Sequence, residues 1–371
     1  MFFIKSNILI QSSFQELHLS RRCLIFVHQQ SYFRCQKYGW SWREDILSED
    51  ETIGNYPENT ISRRPSNGDR DSAYSWTEFE TLIEDYGLRE FTYDSDALNA
   101  ITGVLQRFET SMRCLFLQGL PTSFLNYHIL FTCKHYARCS NKLRREAFPS
   151  YTWVGWRRTV KWGLWFGDPS SPALYPFWHW LKQGTWIKFY VLQPDGSTEE
   201  VLDSNRQLQV RDSSNDGIEF PKSQPFKDSK AVTQQTPLLQ QFGRTYPMLR
   251  FWTVTVRYTI VATENPYFSD LHTRDGHRCG DIELDDRLEP DSVEPHEFLV
   301  LSQAPERSNP SLNCNGSGYF CGNWTYYSYF VMLITRDTHG VAERRGIGRV
   351  TQSSPDMSYE PGPKWEEIIL G

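Results

Sequence analysis

The densest set of side chains able to hold a metal is His272, His277, Cys279, Asp281, Glu283 and Asp285. Alternate residues of an extended strand point to one side, so Cys279, Asp281, Glu283 and Asp285 would share a face, a workable donor set in outline. The reading we favour is a solvated strand edge in an acidic loop. Cys133-Lys134-His135 places a thiol near an imidazole, the pairing that an activated cysteine needs. The local pattern is helical, however, and residues two apart do not face each other on a helix. Glu44, Asp45, Glu49, Asp50 and Glu51 form an acidic cluster. Paired carboxylates do acid–base work only where a cleft sets their separation. Beside a polar linker these read as a solvated face.

The aromatic segment YTWVGWRRTVKWGLWFG at 151–167 raises stacking on sugars or bases, with Arg157, Arg158 and Lys161 close by. Trp153, Trp156, Trp162 and Trp165 do not share one strand parity, so a single flat platform is not expected. Core packing with hydrogen-bonded indoles is. Gly346-Ile347-Gly348 begins like a dinucleotide fingerprint, but the third glycine is missing and the context is an antiparallel hairpin. Glycines that admit close packing or form a bulge are expected instead. Arg144 and Arg145, in LRREAF at 143–148, are too few for a nucleic-acid patch and read as a solvated helix end. The chain carries no Walker phosphate loop, HExxH, GxSxG or EF-hand loop. No catalytic, cofactor-binding or metal residue is assigned, and no cofactor is expected.

Composition bounds what these residues can belong to. Of 371 residues, 13 are Trp, 19 Tyr and 23 Phe, an aromatic share of 15% that argues against wholesale disorder. The net charge of −6 gives no general electrostatic reason to bind nucleic acid. No run approaches the roughly 18 apolar residues of a membrane-spanning helix. The start, MFFIKSNILI, lacks a continuous apolar stretch and a small-residue cleavage site, so it is not read as a secretory signal. Eight dispersed cysteines without a CxxC pair fit neither a disulfide scaffold nor a zinc ribbon. Asn315-Gly-Ser317 and Asn323-Trp-Thr325 match the glycosylation acceptor pattern, but with no secretory signal a cytoplasmic protein is expected.

The elements that would position these residues follow from periodicity. Cys23–Val27 and Ser31–Cys35 read as paired strands. Residues 48–75 are polar and turn-rich, a linker. Residues 76–145 read as helical. Phe79, Leu82 and Ile83 mark one helix over 76–86. Ala97, Ala100, Ile101, Val104, Leu105 and Phe108 mark a second, capped by Asp94 or Ser95. Leu120–Phe131 would be a third. From about 146 the period becomes two. Trp252, Val254, Val256, Tyr258 and Ile260 alternate with Thr253, Thr255, Arg257 and Thr259 in a half-buried strand. TWIKFYVL at 185–192 is β-rich. YYSYFVMLIT at 326–335 is apolar on both faces, hence central, and turns at Asp337–Gly340 into VAERRGIGRV. Residues 203–247 and 263–297 are polar insertions, the second with one short strand near 279–284. The expected class is α+β: a small helical segment, then a mostly antiparallel β-rich domain over 146–371.

Several ordered segments resemble fungal heterokaryon-incompatibility (HET domain) proteins. Phe14-Gln15-Glu16, Leu19-Ser20-Arg21-Arg22, Tyr32-Phe33-Arg34-Cys35 and Trp42-Arg43-Glu44-Asp45 are similar to the end of the HET domain, without the tryptophan that usually precedes the Gln-Glu pair. Trp76, Tyr86, Arg89, Phe91-Thr92, Asp96, Leu98, Ala100-Ile101 and Gly103 resemble the helical segment that follows. Leu117-Gln118-Gly119-Leu120 is similar to the family's apolar-x-Gly-Leu step. Phe148-Pro149-Ser150-Tyr151-Thr152-Trp153 resembles its Pro-Ser-Trp-Ser-Trp step, with Tyr151 and Thr152 as departures. Val331-Met332-Leu333, Val341-Ala342-Glu343-Arg344, Gly346-Ile347-Gly348 and Trp365 to Gly371 resemble its C-terminal closure.

The family's core begins with a Leu-Ser-Tyr-x-Trp-Gly segment and an aspartate–cysteine–isoleucine strand, and neither has a counterpart here. The resemblance therefore implies an N-terminally truncated member: residues 1–47 as the remnant of the HET domain, then the region behind it. Residues of the core, which has been compared with TIR-like folds, are not carried over. The implied role is a non-catalytic body in non-self recognition and programmed cell death. Its partners would be other proteins of the incompatibility pathway, with no nucleic acid and no membrane. The alternatives are a hydrolase-like enzyme with a site in 151–167 or 272–285, and a degenerate gene product.

Overall fold

A computed structural model describes residues 2–5, 11–27, 30–35, 40–45, 71–87, 89, 91–112, 114–134, 143–162, 180–181, 184–193, 195–201, 244–265, 268–286, 294–307 and 324–371. They divide into two compact units, 1–116 and 117–371, so the boundary falls inside the stretch expected to be one helical region.

In the first unit, β1 (Phe2–Lys5), β2 (Arg22–Val27), β3 (Gln30–Cys35) and β4 (Trp40–Asp45) form one sheet in sequence order. β1 and β2 run parallel across helix α1 (Gln11–Leu19), and the expected β2–β3 hairpin is present with Cys23 opposite Arg34. Helix α2 (Asp71–Tyr86) begins inside the stretch expected to be linker. Phe79, Leu82 and Ile83 are buried as their spacing predicts. The second expected helix is broken into α3 (Asp96–Asn99) and α4 (Thr102–Met112). Ser95 holds the N-cap position without a side-chain cap bond. At the break the Thr102 hydroxyl donates to Leu98 O at 3.1 Å, and Gly103 follows, both weak helix formers. Phe79 meets Phe108 edge-on at 5.7 Å, joining α2 to α4.

The division falls within β5 (Phe116–Leu117), and β6 (Leu120–Pro121) follows it in the second unit. The helix expected over Leu120–Phe131 shrinks to α5 (Leu125–His128), because Phe124 has φ +61° and its left-handed backbone stops a helix from passing through. β7 (Thr132–Cys133) pairs with β8 (Val160–Lys161). Of the β-rich 185–192 stretch, β9 (Tyr190–Leu192) forms and pairs with β10 (Thr198–Glu200). The polar insertion expected at 203–247 lies, up to residue 243, outside the described residues.

The rest is a barrel. β11 (Met248–Ala262), β12 (Phe268–His272), β13 (Arg278–Leu284), β14 (His296–Arg307), β15 (Trp324–Arg336) and β16 (Ala342–Thr351) are antiparallel strands. Pairing runs β11–β12–β13–β16–β15–β14 and returns to β11, so the ring closes and these strands leave no free edge. β17 (Lys364–Leu370) pairs along the other half of β11 and touches β16 at Ala342. Where one short strand was expected near 279–284, the hairpin β12–β13 stands.

Alternation puts one residue set inside the ring. Val254, Val256, Tyr258, Leu271, Ile282, Leu284, Phe298, Val300, Tyr329, Val331, Leu333 and Val350 form the interior cluster. Burying each such side chain contributes on the order of 1.5–3 kcal/mol. Gly346 and Gly348 lie inside too, opposite Leu284 and Ile282. A Cβ on Gly348 would stand 2.3 Å from Asp281 O and 3.0 Å from Ile282 Cβ. Small against large fills a narrow barrel, and this is what the glycine pair does. The outer face is buried as well on β15, at Phe330, Met332 and Ile334, which confirms that strand as central. Thr253 and Thr255, expected on a solvated face, are also buried. Residues 117–134 and 143–162 together form a jacket that covers this outer wall at β13 and β16.

Candidate functional site

Two bulges decide which side chains meet between jacket and barrel. Leu271 pairs with Gly280 but His272 pairs with Arg278, so Cys279 is an extra residue in β13. One inserted residue reverses side-chain parity. Cys279 therefore turns into the barrel interior, where its thiol lies 3.3 Å from Leu271 O and burial pushes it up to about 11. Asp281 is exposed, while Glu283 and Asp285 face the jacket. The four residues expected to share a strand face do not, and no metal-competent group of three or more occurs among the described residues.

The second bulge is on β16. Gly346 pairs with Leu333 and Arg344 with Ile334, leaving Arg345 as the extra residue. Arg344 thus avoids the apolar interior and points out under the jacket, where it is fully buried. Its Nε donates to Asp285 Oδ2 at 2.7 Å and its Nη2 to Asp285 Oδ1 at 3.0 Å, a bidentate pair. Nη1 donates to Ile129 O at 2.8 Å and Nη2 also to Phe131 O, while the guanidinium lies 3.7 Å over the Phe131 ring. A buried pair with its remaining donors satisfied is stable as a unit and costly to halve.

The backbone beside this pair is tied by Ser150. The Arg344 N–H donates to Ser150 Oγ at 2.8 Å, and the Ser150 hydroxyl and N–H both donate to Gly371 O. Trp156 Nε1 donates to Ser150 O at 2.9 Å, and Trp153 Nε1 donates to Gly119 O at 2.7 Å. Gly119 has φ +83°, and a Cβ there would stand 2.9 Å from the Trp153 ring. The 117–120, 148–153, 341–344 and 365–371 segments are thus one interlocked set.

The titratable groups nearby are held inert. Cys133 is buried on strand β7, not on a helix, and burial with the Asp285 charge pushes its thiol well up, opposed by Arg344 and Arg158. Such a thiol stays protonated and is no nucleophile. His135 lies outside the described residues. His128 is fully buried, its Nδ1–H donates to Phe124 O at 3.2 Å, and burial lowers it to about 3. Glu283 is raised by burial, opposed by Lys161 and Thr132.

Other expected residues fall as follows. Trp153, Trp156 and Trp162 are buried, and Trp162 Nε1 donates to His128 O at 2.9 Å, so all three indoles are committed to backbone carbonyls. Trp165 lies outside the described residues. Arg144 and Arg145 are not a solvated helix end. Arg145 is buried and donates to Val154 O and Trp156 O, and Arg144 bonds Gly155 O at 2.9 Å and Phe148 O at 2.6 Å. Both staple carbonyls of the 148–156 loop. Glu44 and Asp45 end β4. Glu49, Asp50, Glu51, Asn315 and Asn323 lie outside the described residues.

A groove of about 260 Å3 beside β17 is lined by Arg257, Glu297, Arg336, Lys364 and Glu366. Four of these charges are paired with one another: Arg336 reaches Glu297 and Glu366, each at 2.6 Å, and Lys364 reaches Glu366 at 2.5 Å. No helix among the described residues is long and apolar enough to cross a membrane. Comparison with protein-family models, with curated proteins and with solved structures finds no match for this chain.

The Arg344–Asp285 pair and the Ser150 tie were not legible as a site in the sequence. No local signal marked the pair: Arg344 stands between Glu343 and Arg345, a charged run that reads as an exposed strand face.

Proposed function

We propose that this chain is a HET-type protein of fungal non-self recognition and programmed cell death. It would act in the cytoplasm as a non-catalytic binding or regulatory body for other proteins of the incompatibility pathway. One observation carries the reading. Segments at 117–120, 148–153, 341–344 and 365–371, chosen for family resemblance alone, hydrogen-bond to one another around Ser150, Arg344 and Trp153. Motifs that serve a common fold are expected to meet in this way. The chemistry of the same region supports a holding role: its thiol is protonated, its imidazole neutral and its indoles committed.

The test is expression of the chain in paired fungal strains, scoring viability of fused cells. The reading expects the incompatibility response to change with the intact chain and not with a variant unfolded by Arg344→Met. An unchanged response in every pairing, with both chains expressed to equal levels, would contradict it.

A further inference from the structure

The β7–β8 pair lies on the outer wall of the barrel at β13, and one carboxylate is sealed beneath it. Glu283 is 5% exposed, yet the nearest cation, Lys161 Nζ, stands 3.6 Å from its Oε1, beyond hydrogen-bond reach, and is itself 23% exposed. The adjacent carboxylate is treated quite differently, since Asp285 is saturated by bidentate Arg344.

The groups facing Glu283 can be named element by element. β7 brings Thr132 and Cys133, with Lys134 behind them next to Lys161; β8 brings Lys161. On its own strand stand Asp281, which is exposed, and Asp285. Across the ladder its neighbours are Phe268 and Ile347, both uncharged. Arg344 is committed to Asp285, and Arg158 adds to the field at Cys133. An ionised Glu283 is therefore met only by the loose Lys161 ion pair and by Thr132 while β7–β8 is closed, and the cost of burial outweighs both.

We propose that the β7–β8 seam is a proton-operated latch, closed on a protonated Glu283 and loosened when Glu283 ionises. The sign follows from linkage. Burial raises Glu283 above the ordinary glutamate value, while opening the seam returns it to water and to that value. Between the two values the closed form binds a proton that the open form has released. Closure is thus fully favoured below the ordinary value and is lost as pH rises through the raised one. This inference does not depend on the HET reading.

The reporter is the Lys134 amide, which donates to Thr159 O across the seam at 2.7 Å. Its hydrogen exchange in the full chain, corrected for intrinsic chemistry, is followed from about pH 4 to about pH 8. Protection should fall about tenfold as pH rises through the window, and at every pH the Lys134 amide should show a much weaker denaturant dependence than the Val331 amide in the central strand, which reports global opening. Glu283→Gln should flatten the Lys134 profile. Lys161→Met, which removes the opposing cation, should carry the fall to higher pH, and it tests the latch even if the Gln variant does not fold. A flat wild-type profile, an unchanged profile in Glu283→Gln, no upward shift in Lys161→Met, or a Lys134 amide with the same denaturant dependence as Val331 would each overturn the latch.

Discussion

Arg344 is a fully buried cation whose contacts run to both the barrel and the jacket: Asp285 at the end of β13, and the Ile129 and Phe131 carbonyls above. Removing one member of such a pair strands the other in a medium that cannot solvate it. Arg344→Met should therefore cost about 3–5 kcal/mol in denaturant unfolding, and the double change with Asp285→Leu should cost less than Arg344→Met alone. His128 gives a pH signature of opposite sign to that of Glu283. Its value of about 3 lies below the ordinary imidazole value, so the unfolded chain takes up a proton that the folded chain refuses. Stability should fall as pH drops from about 6.5 toward 3, and His128→Phe should lose that slope in thermal melts. The resemblance singled out Arg344 and Ser150 by position. Their partners lie far away in the chain, and nothing in the local pattern of either residue names Asp285 or Gly371.

Strand alternation was the most legible feature at the scale of elements. It placed Val254, Val256 and Tyr258 on one face of β11 and marked β15 as apolar on both sides, and the barrel uses them so. What alternation could not show is where it fails by one residue. The bulges at Cys279 and Arg345 carry no compositional mark, yet they send Cys279 inward and Arg344 outward. The four-residue strand face expected over 279–285 dissolved for this reason, and the buried ion pair exists through the second bulge. The broken helix at Thr102 and the short α5 were hidden likewise, because periodicity records a buried face and not the backbone turn at Phe124. The paired glycines offer a direct check. Gly348→Ala drives a Cβ into the Asp281 carbonyl and should lower the unfolding midpoint by the equivalent of about 1–3 kcal/mol. Gly340→Ala has open space around it and should cost about 1–2 kcal/mol, from its φ of +81° alone.

Across the second unit, the closed ring explains why a chain so rich in aromatic residues has both faces of its central strand buried. The inside is filled by strand side chains, while outside the jacket covers β13 and β16 and Trp180 meets Phe330 of β15 edge-on at 6.4 Å. Ring closure joins β11 to β14 and β17, contacts distant in sequence, so folding of this unit should take milliseconds to seconds in stopped-flow fluorescence rather than microseconds. The central claim is that the jacket around Ser150 and the barrel are one cooperative body fastened by Arg344, from which the β7–β8 seam alone opens separately. Native-state hydrogen exchange in rising denaturant tests it most directly, comparing the Arg145 amide, which donates to Gly155 O at 2.8 Å in the jacket, with Val331 in β15. In the wild type the two amides should converge on a single global opening, and in Arg344→Met the jacket amide should open first. Separate openings in the wild type, or an Arg344→Met chain in which the two amides still open together at unchanged stability, would contradict the account.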